Sequence, residues 1–188
     1  MMGEKGERTA AVVLAAGQGK RMQSGVAKQY LLLKERPVIW YSLEAFEKSP
    51  VDEVILVTGK EETDWVREHI VDRYGFKKVR AVVAGGAERY HSVCRGLSAL
   101  DGQDQRPDLV LIHDGARPLI SEEVIRRTIE AAREYGRIEP LYAGGYASQQ
   151  SMEQARDGAE SARLAYEAAK HQYDLQLEYT SVTAPISG

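Results

Sequence analysis

The stretch "VVLAAGQGKRMQSGVAKQY" (residues 12–30) runs from an apolar segment into two glycines and then collects Lys20, Arg21 and Lys28. A short run of Val, Leu and Ala bounded by turn residues reads as a buried strand. Bare backbone flanked by cations suits an anion. Gly17 and Gly19 fall on the turn that leaves the strand, where successive N–H groups can curl around phosphate oxygens with no Cβ in the way. Lys20 and Arg21 follow on the same loop, and Lys28 is near enough in sequence to fold back over it. The planar fork of Arg21 can engage phosphate oxygens in pairs. The spacing is neither the GxxxxGK[ST] nor the GxGxxG pattern. Read alone, the segment is equally a glycine-rich turn with solvated charges.

Outward from this stretch, short apolar runs alternate with longer amphipathic ones from Thr9 to about Tyr135, the pattern of βα units on a parallel sheet. Strands are expected at 10–15, 53–58, 79–84 and 108–113. Helices are expected at 38–48, 62–74, 88–100 and 121–135, the last opening with Ser121 as N-cap and acidic residues in its first turn. The fold class is α/β, doubly wound, with a mostly parallel sheet, and such sheets bind ligands beyond the carboxyl ends of their strands.

Two further motifs fall at such ends. "LIHDGARP" (residues 111–118) closes an apolar strand with Asp114, a single carboxylate of the kind that helps hold Mg²⁺ beside phosphates. Gly115 then offers close backbone approach, and Arg117 can face an anionic substrate. Taken alone, this is also a turn in which Asp114 caps local amides. "GGAERYHSV" (residues 85–93) places Gly85 and Gly86 after a third strand, with Arg89 and Ser92 one helical turn apart on the following helix. His69, His91, His113 and His171 show no metal-ligand spacing, and Cys94 on an amphipathic helix is expected in the core.

The chain has 188 residues, 43% of them hydrophobic, enough for one sizeable core. A net charge of -3 argues against nucleic-acid binding, which needs a basic excess. One cysteine allows no intrachain disulfide, no run reaches the length of a membrane span, and the N-terminus lacks the apolar core of a signal peptide. These features imply a cytoplasmic location.

Residues 8 to about 136 resemble the 2-C-methyl-D-erythritol 4-phosphate cytidylyltransferase family, through "AAGQGKRM", "KQY", "GGAERYHSV" and "HDGARP" in order. Ribitol 5-phosphate cytidylyltransferases share much of this set and are the alternative. The resemblance implies a Rossmann-like nucleotidyltransferase domain. It implies that Ala15, Ala16, Gly17, Gly19, Lys20, Gly86, Arg89, Ser92 and Gly115 contact CTP, and that Arg21 and Lys28 are catalytic, stabilising charge on the triphosphate. By the same resemblance Asp114 helps bind Mg²⁺, and Arg117 meets the sugar phosphate. The implied reaction is attack of the sugar phosphate on the α-phosphorus of CTP with release of pyrophosphate. A homodimer is implied too, although the family's dimer arm, a second metal-binding Asp and a late Lys have no match here, so the domain reads as truncated and its turnover as impaired.

Residues 138–188 differ in kind from residues 1–137, and two domains are expected with that boundary. Residues 1–137 carry 22 Lys and Arg against 21 Asp and Glu, residues 138–188 three against seven. One long C-terminal α-helix is expected over 147–178, with Met152, Ala155, Ala159, Ala162, Tyr166, Ala169 and Tyr173 forming a heptad seam for a helical partner. This segment resembles the coiled-coil hairpin of periplasmic adaptor subunits of efflux pumps, "TAPISG" leading into a short strand. A non-enzymatic adaptor acting through that helix is therefore the competing reading, and a fusion of two unrelated segments is the alternative to any function of the tail.

Overall fold

The computed structural model describes residues 7–17, 27–101 and 106–160. Two compact units are present, Met1–Pro118 and Leu119–Gly188. The first is built on strands β1 (Thr9–Ala15), β4 (Glu53–Thr58), β5 (Val79–Ala84) and β6 (Leu109–Asp114), which form one parallel sheet in the order β5-β4-β1-β6. These are the four expected strands, displaced by one residue at most. β1 and β4 are buried at every position, which is why they read as unbroken apolar runs instead of alternating ones.

From β1 the chain builds outward through β4 to β5, then crosses back to lay β6 on the other flank of β1. That reversal puts the switch in strand order at β1, whose carboxyl end meets that of β6 where Leu14 pairs with Asp114.

Each face of the sheet is covered by a helix. Ala10, Val12, Leu14, Ile55 and Val57 cluster with Leu100 of α3 (Arg89–Asp101). The helix comes in unusually close: a Cβ built on Gly96 would stand 2.4 Å from Val12 Cγ1. The buried stripe of α3 is Ser92, Gly96 and Leu100. Cys94 lies about 200° round the helix from Ser92 and is exposed, not in the core as expected. On the opposite face, Ile39, Leu43 and Phe46 of α1 (Val38–Lys48) are buried, and the Phe46 ring meets His113 edge-on at 5.4 Å.

A two-residue turn at Lys34 and Glu35, with φ of 46° and 66°, joins the short strands β2 (Leu32–Leu33) and β3 (Arg36–Pro37) ahead of α1. The helix expected at 62–74 is composite. A 3₁₀ turn at Lys60–Glu62 leads into α2 (Thr63–Val66), which widens into π-helical turns over Arg67–Asp72, where the Arg73 N–H reaches back to the Glu68 carbonyl.

The second unit holds α4 (Glu122–Ala143), which opens at Ser121 as expected, its hydroxyl accepting from the Val124 N–H at 3.3 Å. The helix does not stop at Tyr135. It passes through Gly136 and Pro140, so the expected boundary at 137/138 falls inside it. Side-chain pairs bridge the weak point: Arg137 donates to Glu134 at 2.8 Å, and the Tyr135 hydroxyl donates to Glu139 at 3.1 Å. After a turn at Gly144 and Gly145, residues 149–160 are helical. On that helix Ala155 is buried within the chain itself, and Met152 and Ala159 are half-buried. The rest of the expected helix and "TAPISG" lie outside the described residues. Among the described residues no helix is long and apolar enough to cross a membrane.

Candidate functional site

The carboxyl edge of the sheet brings together four strand ends. Beyond the pair Ala15–Thr58 the β1 and β4 chains part, leaving a cleft lined by Ala16, Gly17, Gly59, Lys60, Glu61 and Glu62. Gly85, at the end of β5, donates its N–H to the Thr58 carbonyl at 2.7 Å. A Cβ there would lie 2.5 Å from the Ala16 Cβ and 2.7 Å from Ser92 Oγ, so only glycine lets β1, β5 and α3 meet at this point. The neighbouring Gly86 donates its N–H to Ser92 Oγ at 3.1 Å, and that hydroxyl donates in turn to the Glu88 carbonyl at 3.3 Å. Ser92 is therefore buried behind the Gly86 loop and fixes its shape.

At the end of β6 the Asp114 carboxylate sits between two guanidinium groups. Arg89 donates to Oδ1 through Nε and Nη2, both at 3.2 Å, and Arg117 Nη2 reaches Oδ2 at 2.8 Å. Three residues singled out from two separate motifs thus converge. Their summed charge of one surplus cation, a quarter or more exposed, suits an anionic ligand at the sheet edge. The Gly115 N–H donates to the Leu14 carbonyl at 2.8 Å, tying this loop to the end of β1.

Beneath the loop, His113 is buried, its Nε2 within 3.2 Å of both Ser42 Oγ and the Arg117 carbonyl, to which Ser42 donates at 3.0 Å. Burial pushes the imidazole pKa down to about 4, so the ring is neutral at pH 7 and acts as a fixed support for the Arg117 backbone.

Lys28 opens a 3₁₀ turn, Lys28–Tyr30, and is exposed. Gly19, Lys20 and Arg21 lie outside the described residues. The two residues after Lys28 hold the cleft. The Gln29 side-chain amide donates to the Ala15 carbonyl at 2.5 Å and to the Gly17 carbonyl at 3.3 Å. The Tyr30 hydroxyl donates to Glu62 Oε2 at 3.0 Å, and the same oxygen accepts from the Gly59 N–H at 3.1 Å. Burial, and next the Glu62 charge, raise the Tyr30 pKa, so its phenol stays protonated. Sequence reasoning singled out neither Gln29, Tyr30, Glu62, His113 nor Ser42 for these tasks. The consecutive K-Q-Y after the glycine loop was the available signal for the first two.

The described residues contain no group of three His, Cys, Asp or Glu side chains able to hold a metal alone. Asp114 is the carboxylate of the predicted metal site, and both its oxygens accept from Arg89 and Arg117 here, so a divalent cation would share it with these guanidinium groups.

Residues 9–141 match the family described as 2-C-methyl-D-erythritol 4-phosphate cytidylyltransferase (IspD). The enzyme of that name from Lachnoclostridium phytofermentans is 52% identical over 128 residues, covering 68% of this chain and 53% of its own length. Its counterpart from Geotalea uraniireducens is 49% identical over 126 residues, 66% of this chain and 54% of the relative. Among solved structures, the 4-diphosphocytidyl-2C-methyl-D-erythritol synthase from Anaerococcus prevotii superposes with a TM-score of 0.56 at 31% identity, over 68% of this chain and 52% of that one. The chain spans about half the length of the curated relatives it matches.

Proposed function

Because the chain belongs to the 2-C-methyl-D-erythritol 4-phosphate cytidylyltransferase family, we propose that it binds CTP with Mg²⁺ at the carboxyl ends of β1, β5 and β6. The reaction served is transfer of CMP to 2-C-methyl-D-erythritol 4-phosphate. The observation that carries this reading is the convergence of Asp114, Arg89 and Arg117 beside the glycine loops of β1 and β5.

In the proposed reaction a phosphate oxygen of the sugar phosphate attacks the α-phosphorus of CTP. The new P–O bond forms as the bond to the bridging oxygen breaks, and pyrophosphate leaves with that electron pair. A phosphate monoester with a second pKa of about 6 is mostly ionised at neutral pH and needs no general base. The chain's part is then to position the two phosphates and to stabilise charge. Backbone at Ala15, Ala16 and Gly17 approaches the triphosphate, Lys28 and Arg21 neutralise it, and Arg117 engages the sugar phosphate. A bound cation supplies further neutralisation of phosphate charge, held through Asp114. The alternative acceptor is ribitol 5-phosphate. We place the activity in the cytoplasm and assign nucleotide binding to residues 1–137.

Isothermal titration with CTP and ATP in the presence of Mg²⁺ tests the reading. CTP is expected to bind in preference to ATP, and Asp114→Ala is expected to weaken Mg²⁺-dependent CTP binding about tenfold or more through loss of the carboxylate that would share the cation with the phosphates. Equal binding of ATP, or a Kd that Asp114→Ala leaves unchanged, would refute it.

The heptad seam supports a separate proposal for the tail, a helical partner for residues 147–178. Met152 and Ala159 on that seam remain partly exposed. Sedimentation of the chain with and without Ala159→Asp reads it out, and identical association states would count against it.

A further inference from the structure

The β1 and β4 chains separate after Ala15 and Thr58, and the backbone groups freed at that fork are taken up by side chains from one three-residue turn and its partner. Gln29 takes the Ala15 and Gly17 carbonyls, and Glu62, held by Tyr30, takes the Gly59 N–H. Gln29 is 2% exposed, so its amide has left water entirely for these two bonds. A buried amide that failed to find partners would cost about 1–3 kcal/mol, so its orientation is strongly set.

The direction of the carbonyls decides what a ligand meets. In a planar trans peptide the C=O of one residue and the N–H of the next point in opposite directions. With the Ala15 carbonyl drawn inward to Gln29, the Ala16 N–H is turned the other way. The Gly17 carbonyl, drawn to the same amide, is likewise withheld from the cleft that Ala16 and Gly17 line. A carbonyl oxygen facing a triphosphate would repel it, whereas an N–H attracts it.

We propose that Gln29 is a positioning residue for triphosphate binding, acting through the Ala15 and Gly17 carbonyls, which it turns away from the ligand. This rests on the CTP-binding reading above and adds to it a residue that touches no ligand itself. Its amide is needed as a donor: a methionine of similar length would offer the two carbonyls no N–H. Tyr30 belongs to the same turn but reaches a different loop, which makes it the control for simple loosening of that turn.

The test compares the full chain with Gln29→Leu and Tyr30→Phe, each titrated with Mg²⁺ and CTP and, separately, with inorganic tripolyphosphate. Gln29→Leu is expected to weaken both ligands by a similar factor of about ten or more, because the defect lies in the phosphate-facing backbone. Tyr30→Phe, which loosens the same turn without freeing either carbonyl, is expected to weaken both by clearly less than Gln29→Leu does. Amide hydrogen exchange in the ligand-free variants should show faster exchange at Ala16 and Gly17 for Gln29→Leu alone. If Gln29→Leu does not fold, Gln29→Met keeps the length, removes the donor, and carries the same comparison. Binding by Gln29→Leu equal to the parent chain overturns the proposal and leaves the functional reading intact. Equal losses in Gln29→Leu and Tyr30→Phe also overturn it, because the effect is then that of a loosened turn. A parent chain that binds neither CTP nor tripolyphosphate overturns both.

Discussion

His113 shows how one buried residue can carry a pH dependence through the whole unit. Its pKa of about 4 in the folded chain lies below the ordinary histidine value of 6.5 because burial disfavours the imidazolium. The unfolded chain therefore binds the proton more readily, and acid favours unfolding. This contribution to stability is fully present above pH 6.5 and is lost as pH falls toward 4, at a slope of up to about 1.4 kcal/mol per pH unit. Thermal unfolding between pH 4 and 8 should show the midpoint dropping across that window, and His113→Asn should flatten the drop while lowering the midpoint at pH 7. A parent profile as flat as that of the variant would mean that the imidazole is not the titrating group. The same residue bears on the site, since its ring supports the Arg117 carbonyl on the loop that carries both Arg117 and its partner Asp114.

At the scale of the element, local propensity and packing disagree in two helices, and magnitudes decide which prevails. Gly96→Ala in α3 would gain about 1 kcal/mol of helix propensity. The added Cβ would stand 2.4 Å from Val12 Cγ1 and 3.1 Å from Val57 Cγ2, and overpacking of that kind costs about 1–3 kcal/mol. Net destabilisation is expected as a lower denaturant midpoint, and a rise would show that α3 can shift outward without loss. In α4, Pro140 has no N–H to offer the Gly136 carbonyl, and proline in a helix interior is worth about 3 kcal/mol less than alanine. Pro140→Ala should slow amide exchange through the second half of α4. Unchanged exchange would mean that the Glu134–Arg137 and Tyr135–Glu139 pairs already hold the helix. Gly136 and Pro140 are also why the length of α4 was illegible in the sequence, since both are ordinary breakers and the contacts that override them have no periodic signature. The Lys34–Glu35 turn escaped notice for the opposite reason: both residues take positive φ where glycine or asparagine is the usual signal.

Across the whole molecule, the strands were legible because burial on both faces demands unbroken apolar runs, and the sheet edge was legible because Gly17, Gly86, Asp114 and Arg117 each follow such a run. What bound the edge together was not, because Gln29 and Tyr30 act through a 3₁₀ turn that leaves no pattern, and Ser92 turned out to hold a loop from behind. The sheet itself has one asymmetry with a measurable consequence. β1 and β4 are fully covered, whereas β6 is only partly so, and Ile112 is 42% exposed. Among the described residues no strand pairs with the outer side of β6. An edge that combines unpaired backbone groups with an exposed aliphatic side chain is a template for pairing with another chain. Concentration-dependent self-association is therefore expected, seen by light scattering, and Ile112→Lys should raise the concentration at which it begins. Because Ile112 is already nearly half in water, the variant should keep its unfolding midpoint within about 1 kcal/mol of the parent. A variant that associates at the parent's concentration would exonerate the β6 edge. One that loses several kcal/mol would show that Ile112 is covered in solution.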